Sequence, residues 1–268
     1  MMTPTQDATS FDAWAGEYDR FRPGYPDVLF DEIAERLGLT ARPVVADLGA
    51  GTGMATVAMA RRGWRITAIE PAPRMLAVLR RRGDEMDVRV DTVEASAEAT
   101  GLPDSSVDLA VAAQAFHWFD RPSAVAEMVR IVRPGGGAAL FWNVRDAERS
   151  AFVAAYERLI SRLFGAAGIG QYQADGREAE HAATRAAFAA VPGFETPRYV
   201  EPEHEIDMTA ETFLGMAFTA SYVRRLGDRE QDRFRDEVSR LLAAHGHDRG
   251  TFAIPYRIHL WTARRTQS

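Results

Sequence analysis

A glycine-rich turn that follows a short apolar segment is the part of this sequence best suited to binding a ligand. Residues 44–48 are nearly all apolar, which predicts a buried strand, and Gly49, Gly51 and Gly53 follow it at alternate positions. The alanine-rich segment 54–62 then predicts a helix. Because glycine accepts positive φ and has no Cβ, a strand–turn–helix of this kind lets the backbone approach a nucleoside closely at the carboxyl end of a strand.

Glu70 lies where a second contact with such a ligand is expected. It ends the predicted strand 65–70 and follows Gly53 by 17 positions (70 − 53). An acidic residue about this far along, at the tip of the second strand, hydrogen-bonds ribose hydroxyls in α/β nucleoside-binding folds. The third glycine does not match a dinucleotide fingerprint, which would place it at position 54, where this chain has Met. An ordinary surface glutamate is the alternative.

His117 is a candidate general base because it follows the predicted apolar strand 109–115, whose carboxyl end should open onto the same site. An extended chain would point Gln114 and His117 to opposite faces, so His117 reaches the acceptor side only if the chain turns after the strand. The neighbouring Phe116 and Trp118 could favour the neutral imidazole that a base requires. The alternative is a structural histidine packed among aromatic rings.

The elements that must position these residues alternate between strands and helices along the chain. Further strands are predicted at 88–93, 138–142, 199–206 and 252–262, and helices with one apolar face lie between the first five strands. This order predicts an α/β fold, a doubly wound and mostly parallel seven-stranded sheet with helices on both faces. We expect one domain, in which a core at 11–145 precedes a helical lid insertion at about 146–226 and a closing helix and strand at 227–268.

Composition excludes several kinds of site. The 268 residues include no Cys and no Lys, so disulfides, cysteine-ligated metals, cysteine nucleophiles and lysine Schiff bases are impossible. The histidines show no metal-ligand spacing, and we expect no metal. The net charge of −6 and the lack of a basic face argue against nucleic acid as a partner. No apolar stretch reaches the roughly 18 residues of a membrane span, and no leader-like start is evident. We therefore expect a cytoplasmic protein without membrane contact, as a monomer or homodimer.

Five sequence features occur in an order that resembles the class I S-adenosylmethionine-dependent methyltransferases, over roughly residues 11–145. They are Asp47 to Gly53, Glu70-Pro71, Ser96-Ala97-Glu98, Leu102-Pro103-Asp104 with Val107-Asp108, and Arg133-Pro134-Gly135-Gly136. The resemblance is closest to the small-molecule type that includes quinone-biosynthesis and trans-aconitate methyltransferases. It implies a Rossmann-like fold, S-adenosylmethionine as cofactor and methyl transfer to a small organic acceptor by in-line displacement (EC 2.1.1.-).

The resemblance also implies roles for individual residues. It implies that Asp47 and the turn hold the methionine portion, that Glu70 holds the ribose, and that an amino-terminal flap closes over the cofactor. The cofactor-binding residues expected in this way are Tyr18, Arg22, Asp47, Gly49, Ala50, Gly51, Gly53, Glu70, Pro71, Met75, Ser96, Ala97 and Gln114. The residues expected to contact the methyl acceptor are Trp118, Trp142, Met216 and Tyr222.

Two departures from related sequences narrow the expectation. Many relatives carry Asp where this chain has Ser96, which can accept a hydrogen bond but has no charge. No Asn-Pro-Pro-aromatic run follows the fourth strand, which argues against methylation of DNA amino groups or glutamine side chains. Three alternatives remain open: a nicotinamide-dependent oxidoreductase, a non-catalytic protein that retains a nucleoside pocket, and an RNA methyltransferase, which the acidic charge disfavours.

Overall fold

The structure is a computed structural model that describes Phe21, residues 24–165 and residues 177–267. Its strands are β1 (Val44–Leu48), β2 (Arg65–Ile69), β3 (Asp91–Val93), β4 (Val107–Ala113), β5 (Val132–Arg145), β6 (Arg198–Val200), β7 (Glu203–Met208) and β8 (Phe252–Arg264). Its α-helices are α1 (Asp27–Leu37), α2 (Met54–Arg61), α3 (Pro73–Glu85), α4 (Arg121–Ile131), α5 (Ala151–Phe164), α6 (Arg177–Ala190), α7 (Ala210–Phe218), α8 (Ser221–Arg224) and α9 (Asp228–Ala244).

The strands form one mixed sheet in the order β3-β2-β1-β4-β5-β8-β6. The pairs from β3 across to β5 are parallel, and β8 runs antiparallel to β5. β6 and β7 both pair with β8, one after the other along its length, so together they act as one edge strand interrupted at residues 201–202. The expected seven-strand arrangement is therefore confirmed, with the seventh strand divided in two.

Helices cover both faces of the sheet, as the alternation of strands and helices predicts. On one face α1 and α2 pack Leu29, Phe30 and Met59 against the strands, and on the other α4 and α6 pack Met128 and Phe188. All five side chains are buried. The strands are apolar on both sides for this reason, since a parallel sheet in this position meets water on neither face.

A third apolar cluster lies in the part of the chain that follows β5. It joins helices α5, α7 and α9 to β7 and the first half of β8, with Phe152, Tyr156, Phe213, Phe234 and Tyr256 among its buried aromatic residues. The predicted lid segment therefore contributes to a core of its own. The division of the chain into core, lid and closing elements stays a proposal.

Several expected boundaries are corrected by the structure. The third strand is only Asp91–Val93, because the chain turns with positive φ at Asp87 after α3. The fifth strand is much longer than 138–142, because Val132 already pairs with Val107 before a register shift, and the pairing with β8 runs from Gly137 to Arg145. In the described ranges, no helix is both long enough and apolar enough to cross a membrane.

Candidate functional site

A cavity of about 540 Å³ opens at the edge of the sheet where β1, β2 and β4 end. Parallel strands bring their carboxyl ends to the same edge, which is where ligands bind in open α/β sheets. The described residues that line the cavity are Tyr25, Gly49, Ala50, Gly51, Thr52, Met54, Ala55, Glu70, Pro71, Met75, Ser96, Ala97, Glu98, Ala113, Gln114, Ala115, Trp118, Phe119, Asp120, Asn143, Arg145, Met216 and Tyr256.

The three glycines of the turn serve two different purposes, although all have positive φ, of 67°, 58° and 82°. A Cβ on Gly49 would lie 2.8 Å from the Cβ of Ala115, and one on Gly53 would lie 2.5 Å from Cγ of Leu79. A Cβ on Gly51 would meet nothing within 4 Å. Gly49 and Gly53 therefore allow the turn to pack on the protein, and Gly51 exposes backbone to the cavity.

Glu70 ties the glycine turn to the end of β2. One carboxylate oxygen accepts from the backbone N–H of Gly51 at 2.9 Å, and the other accepts from the N–H of Ala72 at 3.0 Å. The side chain is only 8% exposed yet lines the cavity. The carboxylate is held in one place by two backbone donors at the position where a ribose contact is expected.

Asp47 lies behind the turn and not in the cavity lining. It is fully buried, and its carboxylate accepts a hydrogen bond of 2.5 Å from the Thr56 hydroxyl on α2. Burial raises the pKa of Asp47 to about 7, against the Thr56 hydrogen bond, while the nearby charge of Glu70 raises it further. Neither Asp47 nor Gly53 is in the cavity lining, since both pack against helices, and their contacts with a cofactor stay predictions.

Gln114 occupies a strained backbone position at the end of β4. It is one of few non-glycine residues with positive φ, at 57°, among those the structure describes. Its N–H donates to the Phe141 carbonyl at 2.8 Å, and its Nε2 donates to the Asn143 carbonyl at 3.2 Å. Such backbone strain concentrates at functional sites, and here it turns the side chain of Gln114 into the cavity lining.

The chain does turn after β4, as a role for His117 requires, into a short 3₁₀ helix at Phe116–Trp118. Even so, His117 is not in the cavity lining, and its Nδ1 accepts a hydrogen bond from Nε1 of Trp142 at 3.3 Å. Burial and the charge of Arg121 lower the pKa of His117 to about 4, so the imidazole is neutral at pH 7. Its use as a general base stays a prediction.

Of the expected acceptor contacts, Trp118 and Met216 line the cavity, and Trp142 and Tyr222 do not. Trp142 is 1% exposed and packs in the core, because alternate residues of a strand face opposite ways and Asn143 faces the cavity. The ring of Tyr222 packs on Phe164 with centroids 4.7 Å apart. Neither side chain lines the cavity, and both acceptor assignments stay predictions.

The remaining predicted residues fall into two groups. Seven of those expected around the cofactor line the cavity besides Gly51 and Glu70: Gly49, Ala50, Pro71, Met75, Ser96, Ala97 and Gln114. Tyr18 and Arg22, with most of the expected flap at 11–25, lie outside the residues that the structure describes.

Sequence reasoning missed Asn143, Arg145 and Tyr256. The polar residues that follow the apolar run ending at Trp142 could have indicated the first two, since they stand at a strand end. Nothing local indicates Tyr256, which reaches the cavity because β8 inserts beside β5 and pairs it opposite Arg145.

Comparison with known proteins finds similarity to methyltransferases, both in a family profile and in individual relatives. Residues 46–140 match a family profile described as a methyltransferase domain. An uncharacterized methyltransferase of Mycobacterium tuberculosis is 41% identical over 153 residues, which are 57% of this chain and 59% of that protein. A malonyl-[acyl-carrier protein] O-methyltransferase of Halorhodospira halophila is 38% identical over 136 residues, 47% of this chain and 44% of that protein. The chain therefore spans about half the length of these curated relatives.

Among solved structures, a putative type II methyltransferase from Anaeromyxobacter dehalogenans superposes with a TM-score of 0.68 at 28% identity, covering 91% of this chain and 98% of the other. That likeness extends over the lid segment as well as the sheet. These matches show that residues 46–140 carry a methyltransferase domain, and the strand order shows that the chain has the Rossmann-like fold of the class I S-adenosylmethionine-dependent methyltransferases.

Proposed function

We propose that the protein transfers a methyl group from S-adenosylmethionine to a small organic acceptor. The observation that carries this proposal is the joining of Gly51 and Glu70, in which a buried carboxylate at the tip of β2 is held by the glycine turn at the edge of a cavity. The cavity lining suits the nucleoside part of this cofactor, because exposed backbone can approach it closely and a carboxylate can accept hydrogen bonds from its ribose hydroxyls.

The cavity residues suggest how the cofactor would lie. Glu70 would accept from the ribose hydroxyls, Pro71 and Met75 would flank the adenine, and Ser96 and Ala97 would meet its edge. The turn backbone from Gly49 to Gly51 would face the methionine portion, near Gln114. Ser96 is partly buried and uncharged, so we expect the adenine contact to contribute less than the ribose contact.

Bound S-adenosylmethionine would supply a methyl group on a sulfonium, and an in-line nucleophile would take that methyl group as the carbon–sulfur bond breaks and S-adenosylhomocysteine leaves as the neutral thioether. The chain itself must orient the acceptor behind that methyl group and exclude water, and such positioning supplies much of the rate in reactions of this type. Trp118, Met216 and Tyr256 form an aromatic and apolar part of the lining that would do both. An acceptor that arrives without a proton to lose needs no side-chain base.

A methyl-transfer screen tests this proposal. The purified protein is incubated with methyl-tritiated S-adenosylmethionine and pools of small carboxylic acids, phenols and amines, and label in the organic products is counted. Label that accumulates with the wild-type protein and is lost with Glu70→Ala is expected. Absence of transfer to every pool, together with turnover of a nicotinamide cofactor, would favour the oxidoreductase alternative, and ligand binding without any turnover would favour the non-catalytic one.

A further inference from the structure

Arg145 stands out among the residues that line the cavity. It is the basic one among the described lining residues, whose other charged members are Glu70, Glu98 and Asp120. It comes at the end of β5, two positions after Asn143, so both residues lie on the same side of that strand. Among the described residues, the cavity therefore has an acidic lining with one cation at the β5 side.

Within the described residues, Arg145 has no carboxylate within salt-bridge distance, and its buried Nε has no hydrogen-bond partner. Nearby arginines differ sharply: Arg257 pairs with Asp146 and with Glu148, both at 2.7 Å, and Arg149 pairs with Glu203 and Glu205. A charge without an ionic partner is costly to bury, so the burial of Arg145 in the cavity lining calls for an explanation.

Aromatic rings are the immediate neighbours of the guanidinium group, and Glu157 is a carboxylate near enough to interact with it beyond salt-bridge distance. The Cζ of Arg145 lies 5.1 Å from the ring centroid of Tyr156, and Tyr256 is its register partner on β8. A cation over a ring face is stabilised, but less than by a carboxylate. Burial alone would lower the pKa of Arg145, yet charge interactions with Tyr156, Tyr256, Tyr222 and the carboxylate of Glu157 hold it above its ordinary value. The group therefore stays charged in its apolar surroundings.

The sheet order separates this cation from the expected ribose contact. Glu70 follows β2 and Arg145 ends β5, and β1 and β4 lie between these two strands. Three strand spacings amount to about 14 Å, taking about 4.8 Å for each. Arg145 thus lies at the end of the cavity away from Glu70, beside Met216 and Tyr256, where the acceptor would sit if the proposed cofactor position is correct.

We propose that the methyl acceptor carries a carboxylate and that Arg145 binds it. This inference rests on the proposed function, which gives the Glu70 end of the cavity to the cofactor. A guanidinium matches the two oxygens of a carboxylate in geometry and charge. A phosphate dianion fits less well, because one cation faces three acidic residues in the same lining. Arg145 then determines substrate specificity, and the aromatic wall holds the apolar remainder of the acceptor.

Calorimetric titration of the protein saturated with S-adenosylhomocysteine tests the proposal. The probes are two pairs of matched shape and different charge, hexanoate with hexanamide and benzoate with benzamide, and phenyl phosphate as a third anion. We expect each acid to bind at least tenfold more tightly than its amide, and phenyl phosphate to bind more weakly than benzoate. Arg145→Gln should abolish the preference for acids, Arg145→Lys should keep part of it, and Arg149→Gln, which changes an ion-paired arginine, should keep all of it.

Four results would overturn the inference. They are equal binding of acids and amides by the wild-type protein, an acid preference that survives in Arg145→Gln, tighter binding of phenyl phosphate than of benzoate, and a tenfold or larger loss of S-adenosylhomocysteine affinity in Arg145→Gln. The last would show that Arg145 holds the carboxylate of the cofactor. The wild-type comparison of acid with amide does not depend on the variants folding. Failure of the proposed function is seen separately, as a wild-type protein that does not bind S-adenosylhomocysteine before any acid is added.

Discussion

At the scale of single residues, Glu70 does two things at once, since it holds the glycine turn and faces the cavity. Replacing it with Ala removes a charged acceptor, and we expect binding of S-adenosylhomocysteine to weaken by about 1–3 kcal/mol. Calorimetric titration measures this. Glu35→Ala on the exposed side of α1 is the matched control and should leave affinity unchanged. Wild-type affinity in Glu70→Ala would mean that the carboxylate does not contact the ribose.

For His117, a catalytic role and a structural role predict different effects of the His117→Ala substitution on kcat. A general base contributes a factor of about 10²–10⁴ to the rate. Because Nδ1 of His117 accepts from Trp142 and the ring is not in the cavity lining, we expect His117→Ala to lower kcat by less than about tenfold. Steady-state kinetics with an identified acceptor measure it. A loss of a hundredfold or more, with cofactor affinity intact, would restore the general base.

The pH dependence of stability gives a second measurement at the same residue. The pKa of His117 is about 4 in the folded protein, below its ordinary value of 6.5, so the unfolded chain binds more protons between these values. Its contribution to the free energy of unfolding is therefore present above pH 6.5 and is lost as the pH falls toward 4. Denaturant unfolding should show that the free energy of unfolding falls less between pH 7.5 and pH 5 in His117→Ala than in the wild-type protein. An equal fall in both would show that His117 is not held neutral by the fold.

At the scale of elements, the turn between β1 and α2 separates ligand binding from folding. Gly51 and Gly53 both have positive φ, so alanine at either position costs about 1 kcal/mol or more in backbone strain. Gly53→Ala would also drive a Cβ into Leu79, whereas Gly51→Ala would place one in the cavity. We expect Gly53→Ala to lower Tm more, and Gly51→Ala to lose more affinity for S-adenosylhomocysteine relative to its change in Tm. The reverse ranking would contradict the assignment of Gly51 to the cavity.

Elements with strong local signals were predicted well from the sequence. α1 lies directly between Pro26 and Gly38, whose φ is 61°, and a proline before a helix and a glycine after it are both local signals of helix ends. β4, a run of apolar residues ended by polar ones, was also found close to its bounds. The predicted third strand, 88–93, is twice as long as β3, because only Asp91–Val93 pair with β2 and the local sequence does not show where that pairing begins.

The candidate site was predictable where chemistry and chain position coincide. Gly51 and Glu70 could be placed because each stands at the end of a strand in the parallel part of the sheet. Asp47 and Trp142 could not, because the choice between cavity and core depends on which side of a strand a residue faces. Arg145 and Tyr256 meet only through the antiparallel insertion of β8, a long-range pairing that no local pattern encodes.

At the scale of the whole molecule, helices α5, α7 and α8 form an apolar cluster with α9 and reach the cavity through Met216 of α7. If these helices close over a bound cofactor, saturating S-adenosylhomocysteine should slow amide exchange in α7, Ala210–Phe218, as well as in the turn at 49–53. Residues 31–37 of α1 are remote from the lining and should not change. Exchange in α7 that is insensitive to the ligand, with protection in the turn, would contradict the lid.

The central claim is that the cavity beside Gly51 and Glu70 binds S-adenosylmethionine, and parallel calorimetric titration with S-adenosylhomocysteine and NADH tests it most directly. We predict saturable one-to-one binding of S-adenosylhomocysteine by the wild-type protein, with a rise in Tm that follows ligand concentration by mass action. We predict no comparable binding of NADH, because the third glycine of the turn is not where a dinucleotide site requires it. Binding of NADH without binding of S-adenosylhomocysteine would contradict the account.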